Sequence, residues 1–349
     1  MKKRKLIVIM LVILAAALTG GGCKAAGGNN IPEASREIFA MDTFMTVTCY
    51  GERCEEALDA AEEEILRLDA LLSVGSPESE ISRLNASGSA ILSDDTAAMT
   101  EEALKVWEQT GGSFDITVYP LMELWGFTTK DYRISEAEDI EETLETVGSG
   151  LLDYDPDTKE LVLSDGQEID LGGIAKGYCS DRLTEIFDEY GLDAALVSLG
   201  GNVVCYHTKP DGSLWKCGIR NPFEPDNMDE LAGVVSLSDS KVITSGAYER
   251  YFIGDDGKTY HHILDPHTGY SADSGLVSAS IVSADGTLAD ALSTAVFVMG
   301  LEKSAAYWRE NGADFDMILV TEDGDVYITE PLKDVFTTEA PLHIISKEE

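Results

Sequence analysis

The chain has 349 residues, 44% hydrophobic and 26% charged, enough for one large domain or two modest ones. Twenty-five Lys and Arg stand against 64 Asp and Glu, a net charge of −39. That field repels nucleic acid and anionic headgroups, so a nucleic-acid role is excluded, and a phosphorylated ligand would need local help from a metal ion or a helix N-terminus.

In chain order, "MKKRK" is basic, "LIVIMLVILAAAL" is apolar, and "TGGGC" supplies small residues up to Cys23. The pattern resembles a bacterial lipoprotein signal, with lipid added at Cys23. It predicts a signal over 1–22, a flexible tether over 23–35 and a folded domain over 36–340. That domain would lie on the extracytoplasmic face of the membrane, held by its lipid. An uncleaved N-terminal anchor would place it on the same side.

"IFAMDTFMTVTCYG" reads as a strand. "CEEALDAAEEEILRLDALLS" carries Leu58, Ala61, Ile65, Leu68 and Leu72 at helical spacing, an amphipathic helix with an acidic outer face. "TAAMTEEALKVWEQTGG" is a second helix, stopped by Gly111 and Gly112. "SEAEDIEETLETVG" is a third, entered at Ser135. "LVLSDGQEIDL" reads as a hairpin about Asp165-Gly166. "GGIAKGYCSDRLTEIFDEYG" opens on glycines and becomes a helix ended by Gly191. Beyond Leu192 strands dominate, with turns at "PDG", "DDG" and "EDG", interrupted by a long helical stretch from Leu288. The class is α+β, mostly antiparallel sheets with packed helices. Five cysteines follow Cys23, an odd number that argues against a disulfide framework. Cys205 and Cys217 flank a predicted hairpin and could pair.

Four segments could carry chemistry, though each alone has a plainer structural reading. "TGGSFDITVYPLMELWGF" puts Asp115 and Thr117 in a loop. "IDLGGIAKGYCSDRL" has the strand–glycine–helix form of a phosphate cradle, and Lys176 adds a scarce cation. "VSLGGNVVCYH" has a glycine pair that admits close backbone approach or forms a bulge. In "ADALSTAVFVMG", Asp290, Ser293 and Thr294 share one helix face, an oxygen set suited to Mg²⁺. "YHHILDPHTG" adds His261, His262 and His267, three of the chain's five histidines. The set suits phosphoryl or nucleotidyl chemistry.

In this order, "MDTFMTVTCYG", "SEISRLN", "GGSFDITVYPLMELWGF", "IDLGGIAKGYCSDRL", "VSLGGNV", "HHILDPHTGY" and "ADALSTAVFVMG" resemble the ApbE family of FAD:protein FMN transferases, over about residues 36–335. The resemblance implies an ApbE-like, T-fold-related architecture. It implies binding of FAD as substrate with Mg²⁺, cleavage of the pyrophosphate, and a phosphoester from FMN to a threonine of an acceptor, with AMP leaving. The acceptor implied is a subunit of a flavin-based electron-transfer complex.

Carried over by position, His262 matches the proposed general base. Asp290, Ser293, Thr294 and the backbone oxygen of Ala175 match the metal site. Met41, Ser113, Phe114, Asp115, Gly172, Tyr178 and Leu264 match cofactor contacts, and Lys176 joins them on its charge. Asp42 stands where relatives carry glycine, and His267 where they carry Arg or Lys, which would make a phosphate contact there pH-dependent. Two other activities fit the same residues: an extracytoplasmic FAD pyrophosphatase giving FMN and AMP, and a flavin-binding lipoprotein without catalysis.

Overall fold

The computed structural model describes residues 31–227 and 229–348. The signal segment, Cys23 and the tether to residue 30 lie outside the described residues. The first strand, β1 (Glu33–Ala40), begins inside the stretch expected to be tether. It pairs with β2 (Thr43–Tyr50), so a hairpin stands where one strand was expected. The turn is Met41-Asp42, with φ of 49° and 59°. A two-residue hairpin of this hand needs both central residues in the left-handed region, where Asp is among the more tolerant side chains. The glycine usual in relatives and the Asp42 found here meet the same demand.

Helix α1 (Cys54–Leu72) buries Leu58, Ala61, Ile65, Leu68 and Leu72 as its spacing requires. The Ser79 hydroxyl caps α2 (Glu80–Ser87), accepting from the Ser82 amide at 3.0 Å. Strand β3 (Ser89–Ile91) and helix α3 (Asp94–Gln109) follow, and α3 stops before Gly111 and Gly112, both at positive φ. The short α4 is Tyr119–Leu124. Helix α5 (Ala137–Leu144) is not entered at Ser135, whose hydroxyl donates to the Leu124 carbonyl instead. Strands β4 (Asp153–Asp155) and β5 (Glu160–Val162) pair as a hairpin, ahead of the Asp165-Gly166 turn where one was expected. Gly166 does form a turn, but β5 is already flanked by β3 and β4 and offers no free edge. The chain after that turn is pinned singly: the Asn85 side chain holds Ile169, and the Asp170 amide donates to the Ile116 carbonyl.

Helix α6 (Ala175–Tyr190) ends on Gly191 at φ 63°. Strands β6 (Ala194–Leu199), β7 (Asn202–Tyr206), β8 (Trp215–Arg220), β9 (Leu231–Leu237) and β10 (Ser240–Gly246) follow. Then come β11 (Tyr251–Ile253), β12 (Thr259–His261), β13 (Leu276–Ser283) and helix α7 (Gly286–Asn311), kinked at Gly300. Strands β14 (Phe315–Thr321), β15 (Val326–Thr329), β16 (Phe336–Thr337) and β17 (Leu342–Ile345) complete the chain, so the ordered domain runs past 340. "DDG" and "EDG" join paired strands. "PDG" does not, because β6 and β10 occupy both edges of β7 and send β8 to pair with β9 in another sheet.

The main sheet has nine strands in the order β1-β2-β6-β7-β10-β13-β14-β15-β17, antiparallel except for β15 with β17. Its adjacent residues fall into different cores: Ile243, Ile281 and Leu319 pack with α1, α3, α6 and α7, while Val242, Val282 and Ile318 pack with the three-stranded sheet β16-β9-β8. This is the period of two that a sheet covered on both faces requires.

Helices α6 and α7 touch backbone to backbone. A Cβ on Gly177 would lie 2.1 Å from the Gly286 carbonyl oxygen, and one on Gly286 would lie 2.0 Å from Ser180 Oγ. Below that contact the Asp181 carboxylate accepts the Gly286 and Thr287 amides at 2.8 Å each, satisfying two donors that a helix start leaves open. Buried Lys241 of β10 pairs with Asp181 at 2.7 Å.

Candidate active site

Six stretches of chain meet at one cleft: residues 113–122, 170–176, 200–202, 244–250, 262–266 and 290–294. The α7 face supplies Asp290 and Thr294. Asp290 is 5% exposed; its Oδ2 accepts the Gly177 amide at 2.8 Å and its Oδ1 accepts Asn202 Nδ2 at 3.2 Å. Ser245 Oγ bridges Ser293 at 2.8 Å and Thr294 at 3.2 Å. Thr294 lines the cleft, whereas Ser293 is fully buried behind Ser245. Ala175 opens α6 between Gly173 and Lys176, both of which line the cleft. A Cβ on Gly173 would come within 3.0 Å of the Phe114 ring, so glycine lets the helix start lie against that ring.

The expected phosphate cradle is mostly occupied by the protein itself. The Gly172 amide donates to Asp170, the Ile174 and Ala175 amides to the Leu171 carbonyl, and the Gly177 amide to Asp290. Two carboxylates have taken the place that free amides would have offered to an anion. Lys176, whose Nζ lies 3.5 Å from the Gly172 carbonyl, remains as a cation on this wall.

His262 lines the opposite wall at the end of the β11–β12 hairpin. Its amide donates to the Arg250 carbonyl at 3.0 Å, and its Nδ1 lies 3.3 Å from the same oxygen. A carbonyl only accepts, so Nδ1 carries the hydrogen and Nε2 holds the lone pair. Burial first, then the Arg250 guanidinium, lower its pKa to about 3, so the ring is a neutral base at physiological pH. Solvent touches its edge, but protein crowds its other sides. His261 is buried beneath, with Nε2 donating to the Ala272 carbonyl.

Ser113, Phe114, Gly172 and Leu264, expected at the cofactor, line the cleft. So does Asp115, but its carboxylate is committed to the fold: it accepts from the Thr117 amide and hydroxyl and from the Ser149 amide and hydroxyl, all within 2.9 Å. Asp115 and Thr117 therefore face each other and Ser149 rather than an open loop. Two predicted contacts lie outside the lining. Tyr178 turns away on α6 and donates to Asp95 Oδ1 at 2.7 Å. Met41 sits in the β1–β2 turn, its amide donating to Asp69 Oδ1; beside that turn Thr43 packs against Gly200, which lines the cleft. His267 also lies outside, its Nδ1 2.9 Å from Asp265 Oδ1 and its Nε2 3.0 Å from the Gly111 carbonyl, so both ring nitrogens are engaged within the protein.

Sequence reasoning missed Asp170, Asn202, Glu249 and Arg250, which all line the cleft. Asp170 and Asn202 sit inside quoted motifs; Glu249 and Arg250 follow β10 with no spacing to mark them. Burial pushes the carboxyls of Asp170 and Glu249 up, with Lys176 and Arg250 opposing. Asp170, Glu249 and Asp290 thus share the lining with two cations, Lys176 and Arg250, and a pyrophosphate entering would add to the negative excess. A divalent cation with a preference for hard oxygens fits: the Asp290 carboxylate, the Thr294 hydroxyl and the Ala175 carbonyl are ligands of that kind, and Mg²⁺ takes few protein groups and completes its shell with water or phosphate. Among the described residues no group of three or more His, Cys, Asp or Glu side chains is placed to hold a metal, so any ion here depends on that mixed oxygen set.

The sequence model of the ApbE family matches residues 41–319. The FAD:protein FMN transferase of Treponema pallidum (strain Nichols) is 35% identical over 302 residues, 80% of this chain and 82% of that protein. The crystal structure of the ApbE protein of Thermotoga maritima superposes with a TM-score of 0.80 at 32% identity, covering 87% of this chain and 99% of that one. The apo flavinyl transferase ApbE of Pseudomonas stutzeri superposes with a TM-score of 0.77 at 27% identity, covering 87% and 97%.

Proposed function

The chain belongs to the ApbE family, and from that premise we propose that it is an FAD:protein FMN transferase, moving FMN from FAD onto an acceptor protein. The finer chemistry we propose is attack by an acceptor threonine hydroxyl on the FMN phosphorus, forming a phosphoester and releasing AMP. The observation that carries it is a neutral imidazole, His262, facing the same cleft as the oxygen set of Asp290 and Thr294.

In this mechanism His262 Nε2 takes the threonine proton as the oxygen bonds to phosphorus, while the Arg250 carbonyl holds Nδ1–H and so fixes the ring. Lys176 and Arg250 face the phosphates as the only cations lining the cleft among the described residues. Asp290, Thr294 and the Ala175 carbonyl would hold Mg²⁺, which when bound offsets charge developing on the pyrophosphate. Ser245 keeps Thr294 in place, and Asn202 and the Gly177 amide orient Asp290.

The reading includes a place in the cell: the extracytoplasmic face of the membrane, held by lipid on Cys23, with a subunit of a flavin-based electron-transfer complex as acceptor. Its support is the basic, apolar and small-residue order of Met1 to Cys23. Among the described residues no helix is long and apolar enough to cross a membrane. An intact mass of the membrane-extracted protein should show a chain that begins at a lipid-bearing Cys23, and Cys23→Ala should abolish both the lipid and the cleavage.

The test of the chemistry is an intact mass of a threonine-bearing acceptor domain after incubation with enzyme, FAD and Mg²⁺. A gain equal to FMN less water is expected. AMP and free FMN with no gain for any acceptor tried would instead make the protein an FAD pyrophosphatase. Tight FAD binding with neither product would leave a flavin carrier.

A further inference from the structure

The contact between the main sheet and the three-stranded sheet holds two of the buried cysteines. Cys205 lies on β7 and Cys217 on β8, strands of different sheets, and their Sγ atoms stand 3.2 Å apart. They are 1% and 4% exposed, packed in one apolar cluster with Trp215, Val235 and Val242. A disulfide needs sulfurs about 2.0 Å apart, so a relative shift of about 1 Å would join them. The two positions are only twelve apart in sequence, and the main and small sheets already hold them face to face. The remaining described cysteines, Cys49, Cys54 and Cys179, pack in the helical core on the other side of the main sheet.

We propose that Cys205 and Cys217 are joined as a disulfide that staples the three-stranded sheet to the nine-stranded one. The inference goes beyond the transferase reading and uses none of its residues. The oxidant is a disulfide donor, a small-molecule or protein disulfide. One cysteine thiolate attacks the donor's sulfur–sulfur bond, giving a mixed disulfide and releasing one donor thiol. The second cysteine loses its proton and attacks the first cysteine's sulfur, closing the bond and releasing the other donor thiol. The protein gives up two protons and two electrons, and the donor gains them as two thiols.

Both cysteines are covered in the fold, so the exchange belongs to folding, before the sheets close, and the finished bond is shielded from reductant. The staple holds β7 at its end away from Asn202, which donates to Asp290 at the cleft. It should leave turnover unchanged and slow the separation of the two sheets.

The experiment is refolding of the purified full chain from reducing denaturant into a glutathione redox buffer, followed by alkylation under denaturing conditions and peptide mapping. The expected result is one linked peptide pair carrying Cys205 and Cys217, two hydrogens lighter than the free peptides, with Cys49, Cys54 and Cys179 alkylated. Alkylation of both Cys205 and Cys217, or a different pairing, overturns the proposal. A second measurement guards against poor refolding. Protein reduced in denaturant and refolded with reductant should unfold about 5 °C below protein refolded without it, and the Cys205→Ser, Cys217→Ser double variant should show no such difference. Equal midpoints with and without reductant in the unsubstituted protein also overturn it.

Discussion

Asp290 and His262 face one cleft from walls built in different ways. Behind Asp290, α6 and α7 meet through Gly177 and Gly286, and the Asp181–Lys241 pair ties the start of α7 to α6 and β10. No side-chain rotation relieves a contact between two backbones. Behind His262 the loop is closed on itself by main-chain bonds, His262 to Arg250, Asp265 to Tyr270 and Ala272 to Ile263, and side chains tie it to the rest of the fold: His267 to the Gly111 carbonyl, Trp125 Nε1 to the Gly269 carbonyl at 2.8 Å, and the Trp125 ring stacked on Tyr260 at 5.1 Å. The wall suited to a metal is joined to its neighbour through main chain, and the wall carrying the base is joined to its neighbours through side chains.

The comparison can be broken most sharply at Asp290. Asp290→Ala should lower AMP release by at least about 10³-fold, as loss of several kcal/mol of charge stabilisation requires, in a protein that still folds; near-normal AMP release would remove the metal from that wall. On the other wall, His262→Ala should keep FAD binding and lose roughly 10²–10⁴-fold in transfer, while His261→Ala should change stability more than rate. The reverse pattern in single-turnover assays would exchange the roles of the two histidines. Gly177→Ala tests the rigid wall directly: overpacking against the Gly286 carbonyl should destabilise by about 1–3 kcal/mol in denaturant titration and also weaken activity. His267→Ala should cost no more than about 1 kcal/mol, because its contacts are exposed. A larger loss than that of Gly177→Ala would invert the comparison.

A further effect is a dependence on pH. The His262 pKa is about 3 in the fold, against an ordinary value near 6.5. Between those values the unfolded chain takes a proton that the folded chain refuses, so this residue lowers stability as pH falls through that window and does nothing above it. Asp170 and Glu249, with raised pKa values, act in the opposite sense. His262→Asn should therefore lose less stability between pH 7 and pH 5 than the unsubstituted protein, measured by denaturant titration at both values.

Local pattern made much of this legible. The apolar spacing of α1, the glycine stop of α3 and the shared face of Asp290 and Thr294 all follow from residues a few positions apart. The readings that failed depended on neighbours distant in sequence. The Asp165-Gly166 turn has hairpin chemistry, yet β5 had no free edge. The α6 start has the glycines of a phosphate cradle, yet Asp290, more than a hundred residues later, takes its Gly177 amide. Glu249 and Arg250 reach the cleft because β10 ends there, a fact of sheet order that no window of sequence contains.

The crossing of α6 and α7 also restricts how the sequence can drift. Gly177 and Gly286 each occupy the room the other would need to gain a side chain. Neither can be replaced first without forcing the helices apart, and replacing both adds a second clash, so single steps and their combination are all disfavoured. A lineage can redecorate the outer faces of both helices and still inherit the crossing unchanged. Asp290, one turn beyond Gly286, belongs to the same crossing: its carboxylate accepts the Gly177 amide, and a Cβ on Gly177 would also lie 2.6 Å from its own Cβ.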